Sequence, residues 1–178
     1  LAAIGGHLEL VCWLHENRDE GCSKKAITGA AMHGYLPTLE YIHNKYDIVA
    51  SPDAMDHAAM NGHLHTMEWL HKNRSEGCTT DAMDLAAKNG HLAVVEWLHL
   101  NRSEGCTTVA MDNAARTGQL NIIKFLHNNR SEGCTKVAID AAAINGHISI
   151  VRYLLKYRKE GFNQSAILAA FQKGNITV

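Results

Sequence analysis

Residues 79–106 read TTDAMDLAAKNGHLAVVEWLHLNRSEGC, and the same phrase returns along the chain at one unbroken interval of 28 residues. Gly6, Gly34, Gly62, Gly90, Gly118, Gly146 and Gly174 occupy a single slot of it, with no insertion or deletion between them. A fixed period of this size marks a stacked-repeat architecture, in which each unit touches only its neighbours. Any His, Cys or Asp that recurs at this interval therefore belongs first to the repeat and only secondarily to a reactive site.

Two helices account for the unit. The slot of Thr79 holds Ser23, Ser51, Thr107, Thr135 and Asn163 elsewhere, all residues that cap a helix N-terminus through a side-chain acceptor. Pro52 follows Ser51, at the first-turn position proline favours. Helix A is predicted from about residue 80 to Asn89, ended by Gly90, where glycine suits a left-handed C′ residue. Its inner columns are alanine at 54, 82, 110 and 138 and again at 58, 86, 114 and 142, with Met or Ile between. Small side chains of this kind let helix axes approach closely. Helix B is predicted from about Leu92 to Arg102, with aliphatics, an aromatic (Trp13, Tyr41, Trp69, Trp97, Phe125, Tyr153) and Leu or Ile at helical spacing. Arg102 is expected in its last turn, where the dipole favours a cation. Residues 45–50, KYDIVA, break the pattern by losing the glycine and gaining β-branched residues. They read either as a locally extended connector or as a reshaped helix end.

Bulk composition narrows the function classes. Lys+Arg 17 against Asp+Glu 18 leaves 178 residues nearly neutral, which argues against a nucleic-acid partner, since phosphate-binding surfaces normally carry a basic excess. No apolar run approaches the roughly 20 residues of a membrane span. Of five cysteines, Cys22, Cys78, Cys106 and Cys134 share one slot. Stacked helices lie about 8–10 Å apart, beyond the reach of a disulfide. Free thiols in a buried column point to a reducing, intracellular and cytoplasmic setting. The phrases Asn73-Arg74-Ser75, Asn101-Arg102-Ser103, Asn129-Arg130-Ser131, Asn163-Gln164-Ser165 and Asn175-Ile176-Thr177 match the glycosylation pattern, three of them as copies of one repeated phrase.

Twelve histidines suggest a metal, with His63, His65 and His71 the densest group. No zinc-type ligand spacing accompanies them, and the columns of His71 and His63 recur at the stacking distance, which reads as bonding between units. A Cys106–His99 nucleophile pair is weakened the same way, because a catalytic site requires one special place. The more informative signal is where the repeats disagree. The slots of residues 81, 85 and 88 vary freely, and spacings of four and three put them on one face of helix A. Asp56, Asp84, Asp112 and Asp140 run beside them. This face is expected to bind a partner through Asp53, His57, Met60, Asp81, Asp84, Leu85, Lys88, Asn113 and Arg116. The competing reading is that aspartate near a helix N-terminus merely suits the dipole. A second variable stripe, at the slots of 93, 96 and 100 on helix B, reads as a solvated convex face.

The phrase 84–98, DLAAKNGHLAVVEWL, resembles the helical part of an ankyrin repeat: leucine-alanine-alanine, two variable residues, glycine-histidine, then paired aliphatics ending in leucine. The resemblance covers the whole chain in about six units. It implies an all-α solenoid of stacked helix-turn-helix repeats and a non-enzymatic protein-binding scaffold without cofactor. The family's threonine-proline-leucine-histidine opening is absent, replaced by Asp81-Ala82-Met83-Asp84. The unit also has 28 residues where the family usually has 33, the shortfall falling on the β-hairpin finger. Residues 1–178 are expected to form a single array cut in mid-repeat at both ends, monomeric or part of a longer chain, with amides exchanging fastest at 1–20 and 165–178. A structural spacer and a metal-binding domain are the alternatives.

Overall fold

A computed structural model describes residues 1–19 and 21–173. Gly174, the Asn175 sequon and the last copy of the helix-B aliphatic slot, Ile176, lie outside the described residues. The rest is all-α: among the described residues there are twelve helices and no strand. They alternate as helix B and helix A of the repeat. α1 (Leu8–Asn17), α3 (Leu36–Lys45), α5 (Leu64–Asn73), α7 (Leu92–Asn101), α9 (Leu120–Asn129) and α11 (Ile148–Tyr157) are copies of helix B. α2 (Lys24–Met32), α4 (Asp53–Met60), α6 (Thr80–Asn89), α8 (Thr108–Thr117), α10 (Lys136–Ile144) and α12 (Gln164–Gln172) are copies of helix A. The chain divides into two compact units, Leu1–Ala82 and Met83–Val178, with the division falling inside α6.

Within each unit the same rule builds the stack. In unit 1, α2 packs on α4 and each pairs with its own helix B, α3 and α5. In unit 2, α8 packs on α10 and α10 on α12, with α9 and α11 alongside. The contacts between A helices are made by alanine. Ala54, Ala82, Ala110 and Ala138, and Ala58, Ala86, Ala114 and Ala142, are all at most 2% exposed. Leu39, Ile42, Met67, Val95, Ile123 and Leu126 fill the space between A and B helices, and truncating any such Leu to Ala costs about 2–5 kcal/mol.

The predicted punctuation holds in part: Ser23 and Asn163 make no side-chain cap bond, and Pro52 rather than Ser51 stands at the N-cap of α4. Gly34 (φ +71°) and Gly90 (φ +87°) turn helix A into helix B in the left-handed region. A Cβ there would also meet the next repeat, 2.7 Å from the His63 ring at Gly34 and 2.9 Å from Gln119 at Gly90. Thr107 and Thr135 cap α8 and α10 by accepting from the Val109 and Val137 N–H groups. Helix B, however, stops at Asn101: Arg102 is extended (φ −128°, ψ 149°) rather than in the last turn. Its side chain is held sideways by Glu104, so it serves the connector and not the helix dipole. Residues 46–50 are a connector outside α3; Tyr46 is extended (φ −130°, ψ 128°), close to Arg102, and the Ile48 N–H donates back to the Tyr46 carbonyl at 3.0 Å.

Candidate interaction surface

The variable slots of helix A emerge on its solvent side. On α4, Asp53 is exposed while His57 and Met60 are half-buried, and the His57 Nδ1 lies 2.7 Å from the Asp53 carbonyl one turn back. On α6, Asp81 and Lys88 are exposed and Leu85 half-buried; on α8, Arg116 is exposed and Asn113 half-buried. Residues three and four apart share a helix face, so each helix shows a short polar-and-apolar strip. The slot of Asp81 carries the strip onward in the later repeats. Val109 and Val137, at that slot, are 46% and 42% exposed.

One expected surface residue is not on the surface. Asp84 is only 4% exposed, and Asp56 and Asp112 are equally interior at 6% and 7%. Each carboxylate turns toward the following repeat and bonds the residue that caps its helix A. The Thr107 N–H donates to Asp84 Oδ1 at 2.9 Å and the Thr107 hydroxyl to Oδ2 at 2.6 Å. Thr79 makes the same pair of bonds to Asp56, Thr135 to Asp112, and Asn163 to Asp140. A capping hydroxyl thus accepts from its own helix and donates across the repeat junction. Burial raises the Asp56 carboxyl above its ordinary value in spite of the bonds from Thr79. Neither the continuous acidic surface nor the simple dipole reading describes this column. Its trace in the sequence is a pairing at a distance that no local rule connects: each of these Asp residues has Thr or Asn 23 residues later.

The columns of His, Cys and Arg have similarly structural settings. His15, His43, His99 and His127 stand edge-on to the helix-B aromatic of the next repeat, as with His43 on Trp69 (5.2 Å between centroids, 87°) and His99 on Phe125 (5.6 Å, 85°). None of the five cysteines is in a disulfide, and Cys78, Cys106 and Cys134 are buried. Burial pushes the Cys106 thiol up to about 12 and Cys134 to about 11, the opposite of what a nucleophile requires. Among the described residues no three His, Cys, Asp or Glu side chains gather as a metal would need.

Arg74–Glu76, Arg102–Glu104, Arg130–Glu132 and Arg158–Glu160 form ion pairs two residues apart in the connectors. In unit 1 the pair grips the connector of the preceding repeat: Arg74 donates to the Ile48 carbonyl at 2.5 Å, and Glu76 accepts from the Ala50 N–H at 2.8 Å. The equivalent bond from the Cys106 N–H to Glu132 is 3.5 Å.

Stacked helix hairpins with these turns match two family models: ankyrin repeats in three copies over residues 83–166, and ankyrin repeats in many copies over residues 27–71 and 55–99. The chain belongs to the ankyrin-repeat family. No curated protein matches it. Ankyrin repeats are generally protein–protein interaction modules, and the proteins that carry them are typically non-enzymatic scaffolds. This ankyrin array departs from the usual unit where the finger would be. Its connectors are short, and four of them carry an Arg–Glu pair and a left-handed glycine. No helix among the described residues is long and apolar enough to cross a membrane.

Proposed function

We propose that this ankyrin array is a protein-binding scaffold whose units engage a partner through the exposed slots of helix A. The observation that supports the reading is the contrast inside one helix. In α6, Ala82, Met83, Ala86 and Ala87 are at most 2% exposed and belong to repeating columns, whereas Asp81, Leu85 and Lys88 reach solvent and change from repeat to repeat. Uniform columns build the fold; a strip that is solvent-facing and unconstrained by packing is free to carry specificity.

On unit 1 the strip comprises Asp53, His57, Met60 and Asp81; on unit 2, Leu85, Lys88, Asn113 and Arg116, joined by Val109 and Val137. Asp84 is left out because its carboxylate is committed to Thr107. A partner isolated by affinity capture and purified should bind the chain measurably in calorimetry. Asp81→Lys with Leu85→Ala and Met60→Ala should weaken that binding at least tenfold, about 1.4 kcal/mol, with helicity unchanged. Glu96→Lys on helix B should leave it intact. The opposite pattern would move the binding face to helix B.

A further inference from the structure

The A helices of unit 2 are balanced in sequence, with three acids, Asp84, Asp112 and Asp140, and three cations, Lys88, Arg116 and Lys136. They are not balanced at the surface. Asp84 and Asp112 are 4% and 7% exposed, bonded by Thr107 and Thr135. Asp140 is half-buried, and its carboxylate accepts from the Asn163 N–H and side-chain amide. Lys88, Arg116 and Lys136 are all exposed. The charge that this side of unit 2 shows to solvent is cationic.

Two of the cations stand in a fixed row. The Thr117 hydroxyl donates to the Lys88 carbonyl at 2.7 Å, and the Asn145 side-chain amide donates to the Arg116 carbonyl at 3.2 Å. These bonds stitch the C-terminal ends of α6, α8 and α10 side by side, with Lys88 and Arg116 on neighbouring helices. At the other end of the same face, seven residues back and about 10 Å along the axis, Val109 and Val137 are 46% and 42% exposed. A cation in a last turn suits the helix dipole whatever binds. The valines have no such reason. A β-branched residue loses side-chain freedom in a helix, and an exposed one recovers little by burial, so neither packing nor propensity accounts for two in succession. Unit 1 is arranged the other way, with Lys25, Asp53 and Asp81 in the first-turn slot and Met32 and Met60 in the last. A row of valines before a row of cations is a property of unit 2.

We infer that unit 2 binds an acidic segment of a partner protein that also carries apolar side chains, its carboxylates on Lys88 and Arg116 and its apolar groups on Val109 and Val137. The inference rests on the helix-A reading above and gives that reading a partner chemistry. Charge complementarity selects the acid. The valines, about 10 Å from the cations, select against a partner that is charged throughout. Nucleic acid fits less well for that reason, since its phosphate charge runs unbroken along the strand. Attraction between exposed charges is screened over about 8–10 Å at physiological salt, so the acidic half of the contact is salt-sensitive and the apolar half is not.

The test is selection on the full chain, at low salt, from a displayed library of random peptides about twelve residues long, ample for the roughly 20 Å from α6 to α10. Enriched peptides should be acidic and carry aliphatic or aromatic residues, and a synthetic copy of the most enriched one should bind in fluorescence anisotropy. Its Kd should rise at least about tenfold with Lys88→Glu/Arg116→Glu, and again when ionic strength is raised from roughly 0.05 to 0.5 M. Val109→Thr/Val137→Thr, which keeps the side-chain shape, should raise it at least about threefold. Lys88→Gln/Arg116→Gln should weaken binding in the same direction, which covers any loss of folding from reversed charge at a helix end. Lys124→Glu/Arg152→Glu on helix B, an equal change of net charge, should leave binding intact.

Enrichment of no peptide overturns the proposal, as does binding that either the cation pair or the valine pair leaves unchanged. Neutral or basic peptides whose binding is still lost with Asp81→Lys/Leu85→Ala/Met60→Ala overturn this partner chemistry but not the helix-A reading. Acidic peptides lost only with the helix-B pair overturn both. Tighter binding of phosphatidylserine vesicles or of a single-stranded oligonucleotide than of any enriched peptide, lost with Lys88→Glu/Arg116→Glu, reassigns the face and equally overturns the proposal.

Discussion

The connector after α3 and the connector after α7 leave their helices alike, with Tyr46 and Arg102 both extended, but Gly105 is left-handed where Val49 is not, and the two have almost no side-chain chemistry in common. After α7 the chain reads Arg102-Ser103-Glu104-Gly105-Cys106, with the Arg102–Glu104 ion pair, and Thr107 is tied back to Asp84 by two bonds. After α3 it reads Tyr46-Asp47-Ile48-Val49-Ala50, with no such pair, and Thr28 stands in the slot of Asp84. Thr28 donates to Lys24 of its own helix at 3.3 Å, and the cap Ser51 turns to its own Asp53 at 2.9 Å. The polar bonds across this junction's cap are absent, yet α2 and α4 still pack through Ile27, Ala30, Ala31, Ala54 and Ala58, all at most 2% exposed. Burial of the alanine and aliphatic columns therefore builds the stack, and the Asp–Thr bonds add to a junction already formed. The difference also shows who holds whom. Residues 46–50 lost their own Arg–Glu pair but are still gripped by the pair of the following repeat, through Ile48 and Ala50. Tyr46 in return meets the repeat before it at His15, its hydroxyl lying 2.9 Å from the Nδ1 and its ring edge-on to the imidazole at 4.9 Å between centroids.

The sharpest way to break the comparison is to remove the junction bonds where they exist. Asp84→Ala leaves the Thr107 N–H and hydroxyl without their partner in a buried setting and should cost about 2–3 kcal/mol, read as a lower urea midpoint. Thr28→Ala at the equivalent slot should cost under about 0.5 kcal/mol. Equal costs would mean that the Asp column contributes through its helix alone.

A smaller effect is expected at the connector grip, and it carries a pH signature. Burial on its own would raise the Glu76 carboxyl, but the bond from Arg74, its own N–H and the Ala50 N–H outweigh it and hold it at about 2 against the usual 4.5. A depressed carboxylate stabilises the fold above its unfolded value and loses that contribution as pH falls through the folded one. Glu76→Gln should therefore cost about 1–2 kcal/mol at neutral pH, with the gap to wild type closing from pH 4.5 toward 2. Asp56 has the opposite sign: its raised carboxyl stabilises the fold most below its ordinary value and less as pH climbs through the raised one. A gap that stays constant with pH would show that Glu76 acts by packing rather than as a charge.

The smallest effect is a gain. Thr28→Asp would give the second junction the acceptor found at the others, facing the Ser51 N–H and hydroxyl. It should stabilise by about 0.5–1 kcal/mol. A loss would show that the α2–α4 junction differs from the α6–α8 junction in geometry as well as in chemistry.

The period, the alternation of two helices, the left-handed glycines and the alanine columns were all legible in the sequence, because each rests on interactions within one or two helical turns. Gly90 must have a positive φ whatever lies beside it, and a column of alanine can only be an approach. The candidate surface was half legible for the same reason: slots that vary and share a face are read from spacing. Asp81 and Asp84 show where that reading ended. They lie three residues apart in the same helix with the same charge and the same dipole, and nothing local separates them. Asp81 is exposed, while Asp84 is buried beneath Thr107. The N–H and hydroxyl that draw Asp84 inward belong to a residue 23 positions away, brought there by stacking. Only the tertiary structure could decide it, since a carboxylate's fate is set by which donor reaches it first, solvent or the cap of the next repeat.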